Sequence, residues 1–368
     1  MKVLYDHQSF TGMAYGGVTR YFYELMKSFA RRNDIDFELS LKFSNNEYLD
    51  QSAFSRHFRF RRWAHLQQVN QVASALNRLY SVQRLKTNGF DVFHPTYYHK
   101  YFLNHLDGKP FVITFHDATS ERYAKQYPEV GEHMTEVKKV LLPRADCIIA
   151  VSEYSKQEIL RFFDVKPEKI KVIHLGSSFS HFKPARPFDP LPFSYLLYVG
   201  KRGLYKNFDG FFRAIQPVLQ KYPDMHLVCA GGGAFSKQEN ELFHSARLGS
   251  RVHYRPITDT ALFGLYQHAT AFVFPSLNEG FGIPVLEAFS GGCPNVLSDR
   301  SSLPEVGADA AIYFDPENDE SMAYAIERIL SDSELRATLT RKGTERLKLF
   351  SCEKTAQQTF DVYKELTK

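Results

Sequence analysis

Two glutamates, Glu279 and Glu287, bracket Gly280-Phe281-Gly282-Ile283-Pro284 in the stretch Pro275–Ala288. Gly280 and Gly282 let a backbone pass close to a ligand with no Cβ in the way. Pro284 suits the opening turn of a helix, where a missing N–H costs nothing. The amides of residues 281–283 then point beyond the helix end, which is a setting for phosphate. Glu279 precedes this loop and Glu287 lies about one turn into the helix. Two carboxylates thus flank an anion site and can accept hydrogen bonds from sugar or ribose hydroxyls. The apolar, glycine-rich surroundings argue against two solvated surface glutamates.

Three further stretches carry chemistry. In Val199-Gly-Lys-Arg-Gly-Leu-Tyr-Lys-Asn207, Arg202 and Lys206 can neutralise a diphosphate, arginine as a fork and lysine as a point charge. Tyr15-Gly-Gly-Val-Thr-Arg20 opens a helix and offers a second anion site at Gly16 and Gly17. His116-Asp117 ends the apolar run Phe111–Phe115, so His116 stands at a strand's carboxyl end. No full Gly-x-Gly-x-x-Gly follows a strand and no Gly-x-x-x-x-Gly-Lys-Ser/Thr occurs, so nicotinamide and P-loop readings fall. Asp34-Ile-Asp36 reads as a solvated turn, and the 14 histidines show no ligand spacing, so no metal site is expected.

The elements that must hold these loops alternate. Short apolar runs at Lys2–Asp6, Phe37–Phe43, Asp91–His94, Phe111–Phe115, Cys147–Val151 and Ile170–His174 read as strands, separated by helical patterns. Ser152 is a candidate N-cap, with Ser155 one turn in. Gly176 to Pro192 holds four prolines and reads as a linker. The alternation restarts at Tyr195–Gly200 and continues through Met225–Ala230, Arg251–Arg255, Ala271–Pro275, Asn295–Ser298 and Ala311–Phe314, and turns helical from Asp319. Such alternation predicts parallel sheets covered on both faces. The length of 368 residues fits two such domains at roughly 150 residues each. With 43% hydrophobic and 24% charged residues the chain is globular, and no apolar run approaches the ~20 residues of a membrane span. An acid at position 6 leaves no signal-peptide core, and four scattered cysteines read as reduced cytosolic thiols.

Collinear motifs then give a resemblance. Pro275–Ala288 resembles the Glu-x7-Glu signature of retaining glycosyltransferase family 4, enzymes of the GT-B fold. Lys206-Asn207, Tyr15-Gly16-Gly17-Val18, Leu303-Pro304-Glu305-Val306 and Phe314-Asp315-Pro316 resemble the same family. The resemblance implies an α/β protein with two Rossmann-like doubly wound domains facing across a cleft. Residues 1–177 would bind the acceptor, 178–350 the nucleotide sugar, and a helix over 351–368 would pack back on the first domain. Glu287 would bind the ribose, Glu279 would face the donor sugar, and the backbone of Phe281, Gly282 and Ile283 would approach sugar and phosphate. Arg202 and Lys206 would hold the diphosphate, Gly16 and Gly17 would approach it, His116 would contact the sugar, and the Ile257 backbone would meet the base. Lys201 and Arg202 both follow Gly200, and either can take the family's arginine role, with Arg202 preferred. The implied reaction retains configuration, needs no metal or other cofactor, and moves a hexose from a nucleotide sugar to a glycan or lipid-linked acceptor. The opening Tyr-Asp-His-Gln block resembles bacterial polysaccharide mannosyltransferases and points first to GDP-mannose. A nucleotide-sugar 2-epimerase is the alternative within the fold.

Charge is lopsided. Residues 1–180 carry 25 Lys and Arg against 19 Asp and Glu, whereas 181–368 carry 21 against 22. The excess lies in Ser55–Lys86, with Arg56, Arg59, Arg61, Arg62, Arg78, Arg84 and Lys86 and no acid. Nucleic-acid binding is a reading from another class, but one basic domain without a recognition signature argues against it. Interleaved with Phe58, Phe60, Trp63, Leu66, Val69, Val72, Leu76 and Leu79, the cations suggest an amphipathic seat on an anionic membrane. That would put a cytoplasmic enzyme peripherally on the inner face of the plasma membrane. Alternatively, Val69, Val72, Leu76 and Leu79 pack on the core.

Overall fold

The computed structural model describes residues 1–52, 54–60, 66–127, 131–184 and 187–368. The chain divides into two compact units, Met1–Leu175 with Cys352–Lys368, and Gly176–Ser351. The proline-rich segment opens the second unit.

In the first unit, β1 (Lys2–Asp6) is followed by helices α1 (Gln8–Thr11) and α2 (Gly17–Phe29), β2 (Asp36–Ser40) and α3 (Gln67–Lys86). Then come β3 (Val92–His94), β4 (Val112–Phe115), α4 (Thr119–Tyr123), α5 (Glu132–Leu141), β5 (Cys147–Ala150), α6 (Glu153–Phe162) and β6 (Ile170–Val172). All pairings are parallel, in the orders β2-β1-β3 and β4-β5-β6, and a parallel bridge from Phe93 to Phe111 links the two sheets. The strands are near-continuous apolar runs because both faces are covered. Ser152 caps α6 by accepting from the Ser155 amide at 2.9 Å, as its position predicts.

The second unit runs β7 (Ser194–Val199), α7 (Phe208–Lys221), β8 (Met225–Ala230), α8 (Lys237–Ser245), β9 (Val252–Arg255), α9 (Asp259–His268) and β10 (Ala271–Phe274). It continues with α10 (Ile283–Ser290), β11 (Asn295–Ser298), α11 (Leu303–Gly307), β12 (Ala311–Phe314), α12 (Asp319–Ser331) and α13 (Ser333–Leu347). The strand order β12-β11-β10-β7-β8-β9 reverses direction between β7 and β10. In a doubly wound sheet that switch point is where a ligand sits. An aromatic cluster of Phe208, Phe211, Phe212 and Phe243 fills one face and holds α7 against the sheet.

The last helix, α14 (Cys352–Leu366), belongs to the first unit. Its Tyr363 hydroxyl is buried between the Tyr5 hydroxyl at 2.9 Å and His94 Nδ1 at 2.6 Å. His94 Nε2 lies 3.0 Å from Thr114 Oγ1, so one buried polar chain ties α14 to three strands.

Helix α3 departs from the core-packing expectation. Its inward face carries Ala73, Asn77, Ser81 and Leu85 on successive turns. Asn77 Oδ1 accepts from the amides of Lys42 and Phe43, and Nδ2 donates to the Phe43 carbonyl and Thr11 Oγ1. Ser81 donates to the Ser40 carbonyl at 3.1 Å. The backbone after edge strand β2 needs hydrogen-bond partners more than it needs apolar cover, and Asn77 and Ser81 supply them. Val72, Leu76 and Leu79 therefore face solvent, 58%, 43% and 67% exposed. Helical structure begins only at Gln67, and Phe58 upstream makes a single bridge to Phe43. Arg61, Arg62 and Trp63 lie outside the described residues.

Candidate active site

The loops after β7 and β10, which meet at the switch point of the second unit, carry the pair that the sequence singles out. Lys206 Nζ lies 2.6 Å from Glu279 Oε1. Both backbones are fixed by neighbours. Asn207 adopts a left-handed conformation (φ 55°), which asparagine tolerates better than most residues. From there its side chain donates to the carbonyls of Pro275 at 3.3 Å and Pro316 at 2.8 Å. The Leu277 amide donates to the Tyr205 carbonyl at 2.8 Å. Glu279 is held by its amide on Ser301 Oγ and by Ser302 Oγ on its carbonyl. The ammonium and carboxylate are thus presented at the strand ends by a rigid frame.

Glu287 sits in α10, 7% exposed, and accepts from the buried Tyr266 hydroxyl at 3.3 Å. Burial, and then the nearby Glu287, push the Tyr266 phenol up, so it remains a donor. Gly282 caps α10 with φ 98°, and a Cβ there would lie 2.8 Å from Leu303 Cδ2. Only glycine fits, and it brings no side chain to cap the helix; Pro284 has no N–H and the Val285 amide bonds the Gly282 carbonyl at 2.9 Å, so the Ile283 amide stands at the helix opening. Phe281 is buried, with its ring edge-on to Phe350. Ile283 opens the helix. Ile257, 40% exposed after β9, lies over Gly231 at the end of β8.

Arg202 stands apart from this group. Its guanidinium is 5% exposed and paired with Glu239, Nε to Oε1 at 2.5 Å. It also donates to the carbonyls of Gly231, Gly233 and Ala234 at 2.9–3.2 Å. The neighbouring Lys201 is exposed and forms no ion pair among the described residues.

The first unit places its candidates at the carboxyl edge of its own sheet. Gly16 caps α2 and Gly17 begins it, with no side-chain cap. His116 follows β4, its ring edge-on to Tyr21 and its Nε2 buried with no hydrogen-bond partner among the described residues. Burial first, and then Lys138, lower its pKa to about 4 against the pull of Asp117, so the imidazole is neutral at pH 7. Lys138 is itself buried beneath this edge, paired with Glu121 at 3.1 Å and donating to the Asp117 carbonyl.

Sequence reasoning passed over Asp6 and His7, which follow β1 at this unit's own switch point. The buried Asp6 carboxylate accepts from the Thr96 amide at 2.8 Å, from Tyr101 at 2.9 Å and from Gln8 at 2.6 Å. Thr11 Oγ1 donates to the His7 carbonyl and accepts from Asn77. The His7 Nδ1 contact to it, at 3.0 Å, therefore carries the imidazole proton, which leaves the buried Nε2 a bare acceptor. The block Tyr-Asp-His-Gln was visible in the sequence, but the tautomer depends on Asn77, which lies 70 positions downstream of His7.

Two doubly wound parallel units with a carboxylate–ammonium pair and an uncapped helix at a switch point define a GT-B glycosyltransferase. Comparison with known proteins agrees. The model for Glycosyltransferase Family 4 matches residues 15–178, and the model for Glycosyl transferases group 1 matches residues 184–346. O-antigen chain mannosyltransferase B of Escherichia coli is 32% identical over 69% of this chain and 70% of its own. Among solved structures, sucrose-phosphate synthase from Thermosynechococcus elongatus matches with a TM-score of 0.79 at 22% identity, covering 99% of this chain and 98% of that one. Anabaena Alr3699/HepE in complex with UDP and glucose matches with a TM-score of 0.76 at 17% identity, covering 99% and 100%. The chain belongs to glycosyltransferase family 4.

Proposed function

We propose that this enzyme moves mannose from GDP-mannose, with retention and without a metal, onto a glycan or lipid-linked acceptor in surface polysaccharide synthesis. The observation that carries the donor site is the Lys206–Glu279 pair beside Gly282 and Glu287 at the switch point. Glu287 takes the ribose hydroxyls, and Glu279 faces the donor sugar. Lys206 and the N-terminal end of α10 meet the charge that grows on the departing diphosphate, work that preorganised cations and dipoles do without a metal. The Ile257 backbone meets the base. Gly16, Gly17 and His116 of the first unit serve the phosphate and the sugar. In the front-face reaction the bond from the sugar C1 to the phosphate oxygen breaks. The acceptor oxygen bonds C1 on the same face, and its proton passes to the departing phosphate. The relative from Escherichia coli supports mannose as the sugar. Family membership favours transfer over 2-epimerisation or RNA binding.

A charged nucleotide sugar does not cross a bilayer unaided, so the reaction runs on the cytoplasmic face. Helix α3 supports a peripheral seat there on anionic lipid. Among the described residues no helix is long and apolar enough to cross a membrane. Yet α3 holds Val72, Leu76 and Leu79 in solvent, with Arg78 and Lys86 exposed beside them and no acid along the helix. Apolar side chains flanked by cations fit the boundary of an anionic bilayer. Incubating the protein with a panel of nucleotide sugars and a lipid-linked glycan tests the donor. GDP release from GDP-mannose well above that from UDP-hexoses is the expected result.

A further inference from the structure

We infer that Arg202, with Glu239, is a positioning device for the base pocket rather than a ligand of the diphosphate, and that Lys201 is the cation this loop offers to phosphate. The inference rests on the donor reading above and assigns roles within that same unit. A guanidinium has five N–H donors. Those of Arg202 meet five acceptor atoms, two on Glu239 and one each on Gly231, Gly233 and Ala234. Phe235 lies against the guanidinium, 4.8 Å from its ring centroid. Nε and Nη2 are fully committed, Nη1 is engaged by Gly231, the charge is neutralised and the side chain is buried. A phosphate could recruit Arg202 only by taking this buried guanidinium from the partly exposed Glu239 carboxylate and from the loop carbonyls it holds.

What the pair holds is specific. Gly231, Gly232 and Gly233 all have positive φ, at 75°, 72° and 88°. A Cβ on Gly232 would lie 2.4 Å from the Gly200 carbonyl oxygen, and one on Gly231 would lie 3.1 Å from Ile257 Cδ1. The glycine loop is thus sandwiched between the backbone of residues 200–201 and the Ile257 side chain. Three consecutive residues in the glycine region are conformationally costly to hold in one shape. Arg202 holds them by three carbonyls. Its anchor is anchored in turn, since Glu239 accepts from the Ser236 amide in the capping box of α8. Burial alone would raise the Glu239 carboxyl, but Arg202 and Ser236 keep it below the usual range, so it stays ionised. Lys201 has its carbonyl fixed by the Tyr198 hydroxyl at 2.5 Å, while its side chain is exposed. Sequence position cannot separate the two residues. Their partners do.

Calorimetric titration with GMP, GDP, UMP and UDP separates the roles. The affinity ratio of diphosphate to monophosphate reads the phosphate contact, and the ratio of GMP to UMP reads the base pocket. Lys201→Met should cut the first ratio at least fivefold and leave the second and the melting temperature unchanged. Arg202→Met with Glu239→Met should shift the second ratio at least threefold while the first stays within twofold, and Arg202→Lys should restore part of the base preference. Should the double variant not fold, Glu239→Gln carries the same test. Loss of the diphosphate increment in the double variant but not in Lys201→Met overturns the inference, as does an unchanged base preference. A wild-type chain that binds neither GDP nor UDP overturns the donor reading, and this inference with it.

Discussion

The carboxyl edges of the two units' sheets are built from similar topology and present different groups. In the second unit the functional groups are ionic and mutually paired, Lys206 with Glu279 and Arg202 with Glu239. In the first unit the rings at the edge are neutral. Burial lowers the pKa of His7, of His116 to about 4 and of His94 to about 3, and among the described residues the Nε2 atoms of His7 and His116 have no hydrogen-bond partner. The contrast teaches what each half is suited to bind. The Lys206–Glu279 pair, beside a helix opened by a glycine, can exchange partners with a diphosphate, while Arg202–Glu239 holds the loop beside it. A neutral His7 acceptor and a neutral His116 ring suit the uncharged hydroxyls of a sugar, which would not repay the desolvation of an ion.

The sharpest way to break this contrast is pH. A histidine whose folded pKa lies below its unfolded value of about 6.5 binds a proton more readily when unfolded. Stability from that group is complete above the unfolded pKa and falls as pH drops through 6.5 toward the folded value. His94 and His116 should each remove about 2 kcal/mol between pH 6.5 and 5. Hydrogen exchange followed across that range should show β3, β4 and α14 losing protection before β7, β8 and β10. His116→Asn should flatten the profile. Uniform loss in both units would erase the distinction.

The ionic edge is sharpened by Glu287→Ala. If Glu287 accepts from the ribose as proposed, removing its carboxylate should weaken GDP binding by roughly 10- to 100-fold, in line with about 1.5–3 kcal/mol for a hydrogen bond to a charged group. Calorimetry checks this, and unchanged affinity would take Glu287 out of the donor site.

A smaller effect separates the two faces of α3. Asn77→Ala should cost about 2 kcal/mol in chemical denaturation, because it strands two backbone amides and a carbonyl. Replacing Val72, Leu76 and Leu79 together by Ser should change stability by less than about 0.5 kcal/mol per site. The same triple variant should lose co-sedimentation with anionic vesicles. If it is destabilised as much as Asn77→Ala, the apolar face is packed and the membrane seat is wrong.

Most of the fold was legible because all three sheets are parallel, so strands read as short apolar runs between helices. The switch-point loops were legible because Gly282, Pro284 and Asn207 announce their backbone conformations locally. Three features were not. Helix α3 reads as amphipathic in sequence, but nothing local says that its polar face turns inward. That depends on the unpaired backbone beyond β2. Arg202 and Lys201 are indistinguishable until Glu239 is brought across from α8. His7 becomes an acceptor only through Thr11 and Asn77. In each case the deciding partner is distant in the chain, and spacing carries no trace of it.

The central claim, mannosyl transfer with retention, is tested most directly by the anomeric configuration of the first product. The protein is incubated with GDP-mannose and a lipid-linked glycan, and the linkage formed is read by proton–carbon coupling at C1 in the NMR spectrum. GDP-mannose carries the α configuration, so a product with an α-mannosyl linkage and stoichiometric GDP release is the predicted result. A β linkage, or transfer from UDP-hexoses with none from GDP-mannose, would contradict it.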